Sequence, residues 1–131
     1  PACYGRGGVE PTVTDASLVL GLIDPEYFAG GRFNLEVDKA YNVILEKIAK
    51  PLSLSVEEAA LGIHRVLNAQ MAEGIRFVSI KQGFDPRDFV LMGLGGGGPL
   101  HACELASELN IQKVLGKRAI RNFKHDDIIK L

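Results

Sequence analysis

The sequence predicts a helix-rich α/β fold that contains one β-α-β unit, and three observations carry that expectation. Apolar residues follow an unbroken three-and-four spacing from Val37 to Ile48, and a second stripe runs from Ala60 to Val78. That is the period of helices with one buried face. Between Phe89 and Met92 the pattern changes to a continuous apolar run bounded by turn residues, as expected of a parallel strand covered on both faces. The run leads through "GLGGGGPLHA" into a helix reaching Leu109, and then into a short apolar segment, "QKVL", at 112–115. Strand, glycine turn, helix and strand follow in the order of a β-α-β unit.

The bulk numbers set the frame. A chain of 131 residues suits one domain and is too short for two ordinary ones. With 47% apolar and 24% charged residues it has the composition of a globular protein. Fifteen basic residues balance sixteen acidic ones, so there is no basic excess that calls for nucleic acid or an anionic membrane as partner. No apolar stretch approaches the ~20 residues of a membrane span, and the first residues lack the basic start and apolar middle of a signal peptide. These features lead to the expectation of a cytoplasmic protein. Cys3 and Cys103 belong to no CxxC or Cys/His spacing, which argues against a metal site and for two free thiols in a reducing compartment. A chain that opens on Pro1 and runs at once into glycines is expected to be a piece of something longer.

The elements then follow in order. "PACYGRGGVEP" reads as a loop. Thr14 or Asp15 can cap a short helix that carries Leu18, Val19 and Leu22. "DPEYFAGG" offers Asp24 as a cap, Pro25 in a first turn and Gly30 and Gly31 as a stop, enough for one helical turn. The helix over 36–49 ends at Pro51. Ser55 and Glu58 form a capping box, and the helix they start runs to Gly83, a length of about 40 Å. Its internal Gly74 costs up to about 1 kcal/mol against alanine and is expected to mark the close approach of another helix. Residues 1–88 thus form a loop and helical part, and 89–115 the strand, turn, helix and strand. Residues 116–131, "GKRAIRNFKHDDIIKL", are a charged tail of uncertain standing.

The glycine turn raises the functional question. A strand feeding glycines into a helix start leaves backbone amides and the positive end of the helix dipole available to an anion or polar ligand edge. The competing reading is a flexible or tightly packed turn with no ligand. Gly93, Gly95 and Gly98 also satisfy G-x-G-x-x-G, so an NADP-binding Rossmann-like unit is a minor alternative. That fold wants an acidic residue after the next strand. The sequence offers Lys117 and Arg118 instead.

Four stretches in series, "GRGG", "PTVTDA", "DPRDF" and the glycine turn with "GPLHA", resemble the hydantoinase A / 5-oxoprolinase family, which includes acetone carboxylase subunits. The resemblance is collinear from Pro1 to about Leu115. It implies a C-terminal portion of an ATP-dependent hydrolase subunit acting on cyclic amides of the hydantoin or 5-oxoproline type. It also implies a partial actin-like ATPase fold, second lobe, in which Gly95, Gly96, Gly97 and Gly98 line the adenosine side of ATP. The D-x-G-G-T phosphate motif of such proteins and an acidic residue for metal-bound phosphates are absent here, so magnesium belongs to the complete protein and the isolated chain is expected to be inactive. Implied partners are the remaining N-terminal lobe, a second hydantoinase-type subunit, the small cyclic-amide substrate, and further copies of the chain through uncovered apolar faces. A non-catalytic helical scaffold that docks onto missing lobes is the reading from another class.

Catalytic candidates are few. Asp15 in "TVTDA" can face a cleft or simply cap a helix, and His101, three residues past the last glycine, can bond a nucleotide or make a structural hydrogen bond. Arg6 can meet a phosphate or remain a surface charge. His64, expected on the polar face of the long helix, and His125, in the tail, are read as solvated. Cys103, without a His/Asp partner, is read as packing on the core side.

Overall fold

The computed structural model describes residues 1–116 and 128–130. They divide into two compact units, Pro1–Val66 and Leu67–Leu131, and each is described by itself.

In the first unit, helix α1 spans Val13–Val19 and is capped by Thr12, whose side chain accepts from the Asp15 amide while the Asp15 carboxylate accepts from the Thr12 amide. The expected cap at Thr14 or Asp15 is therefore corrected to Thr12, with Asp15 as the distal member of a capping box. The segment 24–31 forms no helix. Ala29, Gly30 and Gly31 have φ of 52°, 76° and 79°, and three successive left-handed residues cannot continue a right-handed turn. Phe28 and Phe33 instead close a small loop by an isolated antiparallel bridge, and both rings pack near Tyr4, with centroids 5.7 and 5.3 Å from it.

Helix α2, Val37–Ile44, continues through a π turn at Leu45–Ala49 and a last turn at Lys50–Leu52. The Lys50 amide bonds to Leu45 O, five residues back. This wider turn comes directly before Pro51, which has no amide to donate, so the helix ends at Leu52 rather than before the proline. Ser53 caps it in the left-handed region with φ 54°. Helix α3, Val56–Lys81, starts at the predicted box: the Ser55 amide donates to Glu58 Oε2 at 2.8 Å, and the Glu58 amide to Ser55 Oγ at 3.1 Å. Ala16, Ile44, Ala49, Val56, Ala59 and Ala60 form the main apolar cluster of this unit.

The segment expected to be a loop throughout makes a 3-10 turn at Ala2–Tyr4, and one buried carboxylate ties that turn to α1. Asp15 is 0% exposed. Its Oδ1 accepts from the Cys3 amide at 2.8 Å, and its Oδ2 accepts from Thr12 Oγ1 at 2.7 Å and from the amides of Thr12 and Ala2 at 2.9 and 3.2 Å. Burial pushes this carboxyl up, but the donors from Thr12, Cys3 and Ala2 outweigh it and hold the group below the ordinary carboxylate range. The neighbouring Cys3 thiol is pushed up to about 12 by burial and by the Asp15 carboxylate it faces.

In the second unit, strands β1 (Leu91–Gly93) and β2 (Lys113–Gly116) pair in parallel, Leu91 opposite Val114 and Gly93 opposite Gly116. Helix α4, Gly98–Leu109, connects them. A third strand, β3 (Ile128–Lys130), pairs antiparallel with β2, so part of the expected tail joins the sheet. Ala72 of α3 meets Ala102, Leu105, Ala106 and Leu109 of α4, with Ile111 and Val114 completing the core. The strand expected at 89–92 is shorter and less covered than its composition implied. Phe89, Val90 and Met92 are 51%, 46% and 56% exposed, and α4 packs only on the face that holds Gly93.

Two measurements follow from this architecture. A Cβ built on Gly93 would lie 3.2 Å from both Ala102 Cβ and Pro99 Cα, whereas one on Gly96 would meet nothing within 4 Å. Gly93→Ala is expected to lower stability in urea by about 1–3 kcal/mol, with Gly96→Ala within about 0.5 kcal/mol of the parent. Because the Asp15 carboxyl is depressed in the folded chain, its contribution is fully present above the unfolded value of about 3.9 and is lost as pH falls through the lower folded value. Asp15→Asn should cost about 1–3 kcal/mol at neutral pH and flatten the acid limb of a pH series of urea midpoints.

Candidate functional site

The turn between β1 and α4 contains glycines that are there for different reasons. Gly93 is required by packing, because α4 crosses the strand too closely for a side chain. Gly95 is required by its backbone, with φ +76° in the left-handed region. Gly98 opens the helix, and a Cβ there would make only ordinary contact, at 3.7 Å, with Gly93. Gly96 and Gly97 have neither reason. Their φ is not left-handed, and a Cβ on either would project into open space. The fold of this chain tolerates side chains at both positions, and the sequence has none.

The helix start beside them carries no side-chain cap, since Gly97 occupies the cap position. Pro99 in the first turn supplies no amide, and the Leu100 amide bonds to Gly97 O at 3.1 Å. The donor set of the turn is thus narrower than at a generic helix start. What the turn offers is bare, exposed main chain at Gly95, Gly96 and Gly97 next to the positive end of a twelve-residue helix.

His101 lies in that first turn and is 6% exposed. Its Nδ1 is 2.8 Å from Asn68 Oδ1 on α3, and Asn68 Nδ2 donates to Glu104 Oε2 one turn further along α4. The other catalytic candidate, Asp15, belongs to the first unit, where its carboxylate is engaged by the loop and cap donors described above. Arg6 sits over the Phe33 ring, 5.0 Å from its centroid, a cation–π contact.

Three expectations for single residues are corrected. His64 is not solvated: it is 2% exposed, and its Nε2 lies 2.9 Å from Ser17 Oγ. The buried positions of α3 include Ala60 and His64 in the first unit and Asn68 and Ala72 in the second, so in each unit a polar residue of this helix is turned inward. Counting only apolar residues placed the inward positions too near Ile63, Leu67 and Gly74. Gly74 marks no close helix approach among the described residues, as nothing lies within 4 Å of a Cβ built there. Cys103 is exposed, not on the core side, because Ala102, Leu105, Ala106 and Leu109 take the inner positions of α4. His125, Lys117 and Arg118 lie outside the described residues.

Asn68 and Glu104 were not among the sequence candidates. The signal that finds Asn68 is its place between Ala60, His64 and Ala72, where an amide on an inner face requires a polar partner. Glu104 follows His101 at three residues, which puts both on neighbouring faces of one helix. Among the described residues there is no group of three His, Cys, Asp or Glu side chains able to hold a metal ion, and no helix is long and apolar enough to cross a membrane.

Comparison with known proteins gives this geometry a family. Residues 1–123 match the family model described as hydantoinase/oxoprolinase. The alpha subunit of caprolactamase from Pseudomonas jessenii is 50% identical over 115 residues, which cover 88% of this chain and 16% of that protein. The crystal structure of ATP-dependent caprolactamase from the same organism superimposes with a TM-score of 0.82 at 50% identity, over 88% of this chain and 17% of that one. Acetone carboxylase in its nucleotide-free structure superimposes with a TM-score of 0.78 at 33% identity, over 86% of this chain and 16% of that one. The chain therefore spans about one sixth of the length of these relatives. With nearly its whole length matched by the family model, this chain belongs to the hydantoinase/oxoprolinase family.

Proposed function

We propose that this chain is part of an ATP-dependent enzyme that opens cyclic amides, and that it supplies the wall on which the adenosine side of ATP rests, with Gly95, Gly96, Gly97 and Gly98 lining the nucleotide. The observation that carries this reading is the pair Gly96 and Gly97, bare where neither packing nor φ asks for glycine. Main chain without side chains lets a flat base or a ribose come into van der Waals contact. The relative that superimposes at 50% identity is described as ATP-dependent.

The residues present fit a nucleoside better than a triphosphate tail. A turn with Pro99 in it and the Leu100 amide already bonded has few donors for several phosphate oxygens, while its open glycines leave room for a ring system. When bound, ATP supplies a phosphoryl group that turns a resonance-stabilised amide oxygen into a leaving group. This chain's own part is to bind and orient. The helix dipole of α4 favours electron-rich edges at the turn, and the packing of Gly93 against Pro99 and Ala102 holds the helix start against the strand. In this reading the second unit belongs to the second lobe of an actin-like ATPase, and the phosphates, magnesium and substrate are held by the rest of the parent protein. The isolated chain then has no catalytic activity.

A second feature supports burial of this chain in a larger assembly. Phe84, Phe89 and Val90 are 53%, 51% and 46% exposed, and they line an open apolar groove with Met71, Ile75 and Leu91. A helical scaffold module accounts for that groove and not for the bare glycines. Titration of the isotopically labelled chain with ATP separates the two readings. Selective movement of the amide signals of Gly95 to Gly98, lost in Gly96→Val while the remaining spectrum is kept, is expected from a nucleotide wall. No movement at millimolar ATP leaves the scaffold as the function of this piece.

A further inference from the structure

Glu104, Asn68 and His101 form a hydrogen-bonded line between α3 and α4. An ionised carboxylate only accepts hydrogen bonds, so the Asn68 amide must turn its NH2 group toward Glu104. The structure shows that orientation, with Asn68 Nδ2 donating to Glu104 Oε2. The carbonyl end of the same amide is thereby left facing His101, with Oδ1 2.8 Å from Nδ1. A carbonyl oxygen also only accepts, so Nδ1 must donate. Each step fixes the next, and the chain begins at an exposed carboxylate and ends at a histidine that is 6% exposed.

We propose that Asn68, oriented by Glu104, is a positioning residue that holds His101 as its Nδ1–H tautomer, so that in the neutral ring Nε2 is the nitrogen without a proton. A histidine side chain free in water favours the opposite neutral tautomer, so the relay acts against an intrinsic preference. Asn68 reaches across from α3 to the first turn of α4, and His101 is the titratable side chain of that turn. In this form the ring presents a donor at Nδ1 to Asn68 and an acceptor lone pair at Nε2.

The test is a long-range proton–nitrogen correlation spectrum of the full chain with labelled imidazole nitrogens, recorded without nucleotide at about pH 8, above the ordinary imidazole range. His101 is expected to show a protonated Nδ1 and a bare Nε2. Glu104→Gln changes an exposed side chain and removes the group that orients the amide, and it should shift the His101 signals toward a mixture of tautomers. Asn68→Ala should move them to the Nε2–H form. A bare Nδ1 in the parent chain overturns the proposal, and so does an unchanged His101 pattern in Glu104→Gln. Because the spectrum is read without nucleotide, silent glycine amides in the ATP titration would count against the nucleotide wall alone and leave the tautomer result standing.

Discussion

The second unit depends on the crossing of β1 and α4 at Gly93. The strand and the first turn of the helix come so close that an added methyl group would sit 3.2 Å from Ala102 and Pro99. That contact sets where the helix begins and which way its first turn faces. It also removes any need for the following residues to pack, since the chain has already turned by the time it reaches Gly96. The bare segment therefore follows directly on a close strand–helix contact at Gly93.

The first unit is organised by a different constraint. Asp15 accepts hydrogen bonds from the cap of its own helix and from the amides of Ala2 and Cys3, more than ten residues away. A buried carboxylate is stable only when its oxygens are satisfied in this way. The glycine-rich start of the chain is thus drawn into the fold, with Cys3 at 0% exposure, rather than left as a free loop. The Glu36 amide donates to Cys3 O at 2.8 Å, so the same short turn also fixes the approach to α2. A motif that looks catalytic in sequence, an acid within "TVTDA", does structural work here that the conservative reading as a helix cap anticipated only in part.

Local chemistry made much of the fold legible. The capping box at Ser55 and Glu58, the proline at the start of α4 and the strand, helix, strand order after Phe89 all rest on interactions within a few residues, and all three are found. The failures share a cause. The turn at 24–31 had a good cap and a good stop, but Phe28 pairs with Phe33 and both rings pack near Tyr4, a contact between residues far apart in the chain that no local signal encodes. His64 and Asn68 were hidden because an apolar count treats polar residues as outward, whereas each meets a partner far along the chain, Ser17 and His101. At the glycine turn the sequence marked the place but could not sort the glycines. Only the folded chain separates Gly93, needed for packing, and Gly95, needed for its φ, from Gly96 and Gly97, which this chain does not itself require.

That distinction is the basis of the functional account, and it is tested most directly by a structure of the full-length protein with a non-hydrolysable ATP analogue. The account predicts the adenosine moiety in van der Waals contact with the main chain of Gly95 to Gly98. A nucleotide bound elsewhere, with Gly96 and Gly97 pressed against polypeptide from another part of the protein, would contradict it.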